Sequence, residues 1–352
     1  MKLFFAKSQL KHAPQQFMTA GKIISPFEIP ERAEHMATGL IELGLDASEP
    51  DDFGLDPIHA VHSDHYVEFL QTAYARFQEL PQAGPEVFPN VHPHVSAHPD
   101  LSPRERPRPS HVVGQAGWYM GDMACALGEG TWPAVYASAQ TAVAAAHAVT
   151  QGEDEAFALC RPPGHHAYHD RASGFCFLNN AAIAAEELLK RYKRVGVIDF
   201  DTHHGDGTQA IFYRSSDVFY ASTHTDPREY YPFFFGYPDE TGYGEGDKFN
   251  LNIPIPQGSS DEVFIEANQQ LIVATLASEV EALVLSAGWD AHRDDPLSRL
   301  DISTDAYRRL GRIYGEIPLP TVIVQEGGYS LAAIEKVAPI FVKEFLDERK
   351  PH

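Results

Sequence analysis

The chain has 352 residues and 39.0 kDa, with 43% apolar and 22% charged residues, the composition of a folded globular protein and not of a disordered, collagen-like or disulfide-scaffold chain. Its 49 acidic residues outnumber 27 basic ones, for a net charge of −22, which excludes general binding to nucleic acid or to an anionic membrane and favours a cationic substrate or partner. Three scattered cysteines, Cys125, Cys160 and Cys176, offer neither a disulfide framework nor a CxxC metal site, and fit a reducing cytoplasm.

The first residues, MKLFFAK, carry too short an apolar run for a secretion signal. No window reaches the ~20 apolar residues of a membrane span, since Ser138, Gln140, Thr141 and His147 interrupt the alanine-rich stretch 134–149. Prolines and histidines crowd residues 82–110, which read as a long loop projecting from one domain that spans 1–352. Beyond it, short β-branched runs at 156–160, 195–200, 218–222, 283–286 and 321–324 predict strands, and 181–192, 261–280 and 304–314 predict helices. Strands alternating with helices predict an α/β fold with a mostly parallel, doubly wound sheet and helices on both faces.

Each cluster of reactive side chains follows a predicted strand, where open α/β sheets gather their sites. In VGVIDFDTHHGDGTQ the strand runs into Asp199, Asp201, His203, His204 and Asp206. Alternate residues of a strand share a face, so Asp199, Asp201 and His203 can project together as half of a zinc site. In LVLSAGWDAHRDDP, Asp290 is either a helix cap or the carboxylate that completes an Asp, His, Asp set, while His292, Asp294 and Asp295 read as loop residues. In CRPPGHHAYHD, the Pro-Pro-Gly turn can bring His165 and His166 to one pocket as proton carriers, with Asp199 and Asp206 as orienting partners; His169 reads as a surface residue. In VIVQEGGYS, two glycines can hold Tyr329 over a cleft with its hydroxyl free to donate to an oxyanion, a weak signal taken alone.

RPPGHHA, SGFCFLNN, DFDTHHGDGTQ, GWDAHRDDP and EGGY stand together, in this order. In these motifs the chain resembles the zinc-dependent superfamily of histone deacetylases and acetylpolyamine amidohydrolases, with the arginase/deacetylase fold. SPFEIPERAEHM, the long loop and HTDPREYYPFFFGYPDETGYG look most like its bacterial acetylpolyamine amidohydrolases.

The resemblance implies one Zn²⁺ per chain on Asp201, His203 and Asp290, with iron or cobalt open to the same ligand set. It implies His165, His166 and Tyr329 as catalytic residues, His166 as first choice for general base, and Asp199 and Asp206 as their orienters. An acetamide carbonyl polarised between zinc and Tyr329 would be attacked by water that the histidine pair deprotonates. Structural K⁺ or Na⁺ ions would use Asp199, Asp201, His203 and Ser222, and a second set near Phe212, Ser215 and Val218. Phe175, Tyr231 and Phe233 would wall the channel for the aliphatic stem, although YYPFFFGY reads equally as a core segment or a loop.

Polyamine-selective relatives are expected to place an acid at the mouth, where this chain has Val113 or Leu297; Glu105 is a substitute. Trp289, before Asp290, has no purpose visible in the sequence. The implied activity is deacetylation of small acetylated amines by a homodimer joined through the long loop; the alternative is deacetylation of acetyl-lysine in proteins.

Overall fold

The computed structural model describes residues 1–93 and 107–349. Its frame is one sheet of eight strands: β1 (Lys2–Phe4), β4 (Ala47–Ser48), β5 (Glu155–Ala158), β6 (Val195–Asp199), β7 (Val218–Thr225), β8 (Asn250–Ile255), β9 (Ala282–Ala287) and β10 (Thr321–Gln325). They lie in the order β4-β1-β5-β10-β9-β6-β7-β8, and every pairing is parallel. The five expected strands are present, with ends shifted by at most three residues. The three outer strands β4, β1 and β8 add to them.

Alternation along the strands decides which helices each face receives. Ala156, Ala158, Val195, Val197, Val284, Val322 and Val324 face one apolar cluster, with helices α3 (Asp64–Gln78), α4 (Val112–Tyr119), α5 (Thr131–Thr150) and α6 (Asn180–Leu189). Their alternates Phe157, Ile198, Leu283, Leu285 and Ile323 face a second cluster, with α1 (Glu31–Glu42), α8 (Asp261–Ala277), α9 (Thr304–Gly315) and α10 (Leu331–Glu348). The short helices α2 (Asp56–His59) and α7 (Asp206–Phe212) complete the set. Serines stand at the N-caps of α8 and α9, and the Ser303 side chain accepts the N–H of Ala306. Among the described residues no helix is long and apolar enough to cross a membrane; the alanine-rich stretch is the buried α5.

Trp289 acquires a purpose here. It is fully buried against Phe200, Tyr307 and Phe341, and its indole N–H donates to Gln325 Oε1 at 2.5 Å, tying the end of β9 to β10. A feature absent from the expected elements is the hairpin of β2 (Phe17–Thr19) and β3 (Lys22–Ile24). Its two turn residues, Ala20 and Gly21, both have positive φ, as a two-residue hairpin turn of this hand requires. The expected loop 82–110 has no strand or helix in its described parts; residues 94–106, Glu105 among them, lie outside the described residues.

Candidate active site

The four reactive clusters meet at the C-terminal ends of β5, β6, β9 and β10, adjacent strands of the sheet. Asp201, His203 and Asp290 converge there: His203 Nδ1 lies 3.0 Å from Asp201 Oδ1 and 3.1 Å from Asp290 Oδ2. The two carboxylates are fully buried and neither forms an ion pair with Lys or Arg among the described residues. Burial and the charge of Asp201 push Asp290 up to about 7. Two buried carboxylates and an imidazole nitrogen make a three-donor N/O set whose paired negative charges suit a divalent cation. The residues present therefore fit a zinc ion.

Glycine makes this convergence feasible. A Cβ at Gly327 would lie 2.2 Å from Asp290 Oδ2 and 2.4 Å from Asp201 Oδ2, so only a residue without a side chain lets the segment after β10 pass beside the pair. The Gly327 N–H then donates to Asp201 Oδ2 at 2.8 Å.

The adjacent histidines share an orienting geometry and differ in charge. His165 Nδ1 donates to Asp199 Oδ2 at 3.0 Å, and His166 Nδ1 donates to Asp206 Oδ1 at 2.6 Å. Burial disfavours charge on both, but Asp199 and then Asp201 outweigh it at His165 and raise its pKa to about 10. At His166 burial wins, reinforced by the charge on His165, and its pKa falls well below the ordinary histidine value. With its Nδ1 proton committed to Asp206, neutral His166 has a bare Nε2. One imidazolium beside one imidazole is an acid and a base in contact, with ring centroids 4.0 Å apart.

Tyr329 is held from two sides. Its N–H and that of Ser330 donate to Asp295 Oδ2 at 2.6 and 2.9 Å. The Arg32 guanidinium lies 4.4 Å over its ring while donating to Gly328 O and Glu326 O. Burial pushes the phenol upward and Arg32 opposes this, so the hydroxyl keeps its proton as a donor. Asp295 is thus a loop residue, as expected, but with an assignable task; it lies in GWDAHRDDP and Arg32 in SPFEIPERAEHM, yet neither motif by itself assigns them to Tyr329.

A cavity of about 360 Å³ opens over this floor, lined by His166, His203, Tyr329 and all three expected channel residues, Phe175, Tyr231 and Phe233. The hairpin supplies a further wall through Phe17, Met18, Thr19 and Ala20, and Phe17 packs on Phe175 with centroids 5.1 Å apart. The aromatic run is loop, with Phe233, Phe234 and Phe235 exposed.

The expectation about the mouth needs correction. Val113 is a packing residue of α4 and is not in the cavity, while Leu297 is in its wall. The carboxylate in the wall is Asp122, whose Oδ2 accepts from Tyr231 OH (2.8 Å), Ser173 Oγ (3.1 Å) and Gly174 N (2.9 Å). A cation, Arg299, also lines the mouth and stacks over Tyr230 at 4.8 Å. His169 is exposed at the surface as expected, and His292 bonds Thr304 away from the metal ligands. Ser222 Oγ bonds His224, and Phe212, Ser215 and Val218 meet in the turn between α7 and β7.

These features can be set beside known proteins. The family model for the histone deacetylase domain matches residues 26–345, the whole sheet from β5 onward and every residue of the floor. The chain belongs to the histone deacetylase family. Within the family it is 44% identical to an acetylpolyamine amidohydrolase of Burkholderia pseudomallei over 98% of both chains, and 40% identical to acetylpolyamine amidohydrolase 1 of Pseudomonas aeruginosa over 92% of both. The crystal structure of the acetylpolyamine aminohydrolase from Burkholderia pseudomallei superposes with a TM-score of 0.93 over 98% of each chain. The HD domain of HDA15 is more distant, at 26% identity and a TM-score of 0.78 over 98% of this chain and 91% of that one. The arginase/deacetylase fold expected from the motifs is the fold observed.

Proposed function

We propose that this chain is a zinc-dependent amidohydrolase that removes acetyl groups from small acetylated amines, in particular acetylated diamines and polyamines, and releases acetate and the free amine. The observation that carries the reading is the meeting of the Asp201, His203, Asp290 set with His166 and Tyr329 at the floor of one aromatic-walled cavity. The printed names of the two relatives above support the substrate class.

Asp201, His203 and Asp290 would hold the ion, which when bound supplies a Lewis acid for the acetamide carbonyl and lowers the pKa of an attacking water. The bare Nε2 of His166 takes a proton from that water. The Tyr329 hydroxyl donates to the carbonyl oxygen as negative charge gathers on it. The charged His165 beside His166 lets the pair return a proton to the departing amine nitrogen. Phe175, Phe233 and Phe17 cover the methylene stem and exclude water from it. Asp199, Asp201, His203 and Ser222, and separately Phe212, Ser215 and Val218, are offered as K⁺ or Na⁺ sites. A cytoplasmic homodimer joined through residues 82–110 is part of the same proposal, and light scattering of the purified chain tests it.

The deciding experiment compares kcat/KM of the zinc-loaded enzyme on N-acetylputrescine, N-acetylcadaverine and an acetyl-lysine peptide, with EDTA-treated protein as the blank. Preference for the diamines by about 100-fold, about 2.7 kcal/mol of transition-state discrimination, is expected. Preference for the peptide overturns the substrate class and leaves the alternative, a protein deacetylase. Tyr329→Phe should keep zinc and fold while losing most turnover; wild-type activity in that variant overturns the role of Tyr329.

A further inference from the structure

Two buried reactive groups beside the catalytic histidines have no part in this mechanism. Cys176 sits at the end of the SGFC turn, where Ser173 and Cys176 exchange both backbone hydrogen bonds and Gly174 and Phe175 take positive φ. That turn sends Phe175 to the cavity wall while the Cys176 thiol is fully buried. Glu326 directly follows β10 and is fully buried. Its Oε2 accepts from the N–H groups of Gly164 and His165 at 2.6 and 3.0 Å, whereas Oε1 has no hydrogen-bond partner among the described residues.

A buried carboxylate oxygen without a partner is costly, and native structures provide one with a donor or a cation. Here the neighbours are a thiol and an imidazole: one ligand atom from each of His165, Cys176 and Glu326 lies within 4.8 Å of the others. Nitrogen, sulfur and oxygen donors in a three-residue set suit zinc and its thiophilic relatives, whereas Mg²⁺ and Ca²⁺ require mostly oxygen ligands.

We infer that His165, Cys176 and Glu326 form a second, inhibitory binding site for a thiophilic divalent cation. It fills after the first site, because Asp201 and Asp290 bring two carboxylates to the first cation while this set brings one carboxylate and a thiol that must release its proton to solvent. Filling it occupies a His165 ring nitrogen with the cation, so that ring, its centroid 4.0 Å from that of His166, can no longer pass a proton within the pair. The enzyme is therefore active with one bound cation and silenced by a second.

The test starts from protein holding one equivalent of zinc and adds ZnCl₂, CdCl₂ or MgCl₂, reading bound metal by equilibrium dialysis and turnover in the same samples. A second equivalent of Zn²⁺ or Cd²⁺ should bind while activity falls by about 100-fold, the size of a general acid–base contribution, with Mg²⁺ inert. Co²⁺ added as the second cation should show thiolate-to-cobalt charge-transfer absorption. Cys176→Ala should bind one equivalent, keep its activity and resist excess zinc; Glu326→Gln should also lose the second equivalent. A second equivalent that persists in both variants, or absence of any second equivalent in the wild type, overturns the site. Stoichiometry and the cobalt spectrum do not depend on the deacetylase reading, so they separate its failure from failure of the site.

Discussion

Asp295 accepts the backbone N–H of Tyr329 at 2.6 Å, joining the loop after β9 to the tyrosine that follows β10. The same oxygen takes the N–H of Ser330, and Oδ1 takes that of Leu297 in the cavity wall. One carboxylate therefore fixes both Tyr329 and Leu297 in the lining of the cavity. In Asp295→Asn, an amide N–H₂ must face at least one N–H that the carboxylate satisfied. Losing hydrogen bonds to a charged group, each worth about 1.5–3 kcal/mol, should lower kcat about 10- to 100-fold with zinc content unchanged. Added to Tyr329→Phe, the same substitution should cost much less than it does alone, because its main effect runs through the Tyr329 hydroxyl. Additive losses in this double-mutant cycle would show that Asp295 works elsewhere.

Arg299 is exposed at the mouth and, among the described residues, no ion pair holds it. Its charge repels the distal ammonium of an acetylated diamine. Arg299→Glu should raise kcat/KM for N-acetylputrescine by about 2- to 10-fold at low ionic strength, fading as salt screens the field. A neutral acetamide of equal length should be indifferent to the substitution, and equal gains on both substrates would refute an electrostatic origin.

Gly327→Ala forces a methyl group to within 2.2 Å of Asp290 Oδ2. The carboxylates must separate, so bound zinc should fall well below one equivalent while far-UV circular dichroism stays that of the native sheet. Retention of full zinc in this variant would mean that β10 can shift aside.

Acid stability follows from buried neutral histidines. Burial lowers His12 to about 4 against the opposing charge of Glu28, His62 to about 3 and His224 to about 4. His62 Nε2 accepts the Asn179 N–H at 2.9 Å, which a protonated ring cannot do. In the unfolded chain these histidines protonate near 6.5, so below that pH the unfolded state binds more protons than the native one. Stability is therefore insensitive to these groups above about 6.5 and falls as pH drops toward 4. Thermal melts across this range should show the decline, and a His62→Gln variant that still folds should show a shallower one.

Local periodicity carried the five inner strands and three of the main helices, because fully buried parallel strands read as short β-branched runs. It also placed much of the floor, since Asp199 ends β6 and Asp201, His203 and Asp206 come close behind it in sequence. What escaped depends on distant partners. Arg32 looks like any charged residue of an amphipathic helix until Gly328, 296 positions away, accepts its N–H. Asp122 matters because Ser173 and Tyr231 fold onto it, and no spacing rule connects the three. The hairpin strands are three residues each, below the length at which alternation is readable.

The place of β10 has a consequence for how the enzyme comes into being. It is the last strand in the chain yet lies in the interior of the sheet, between β5 and β9. Until it inserts, β5 and β9 have no bridge, and Gly327, Glu326 and Tyr329 are missing from the floor. A chain emerging from the ribosome therefore carries Asp201, His203 and Asp290 before it can close the sheet that brings them together, and the floor is assembled only after β10 has been made.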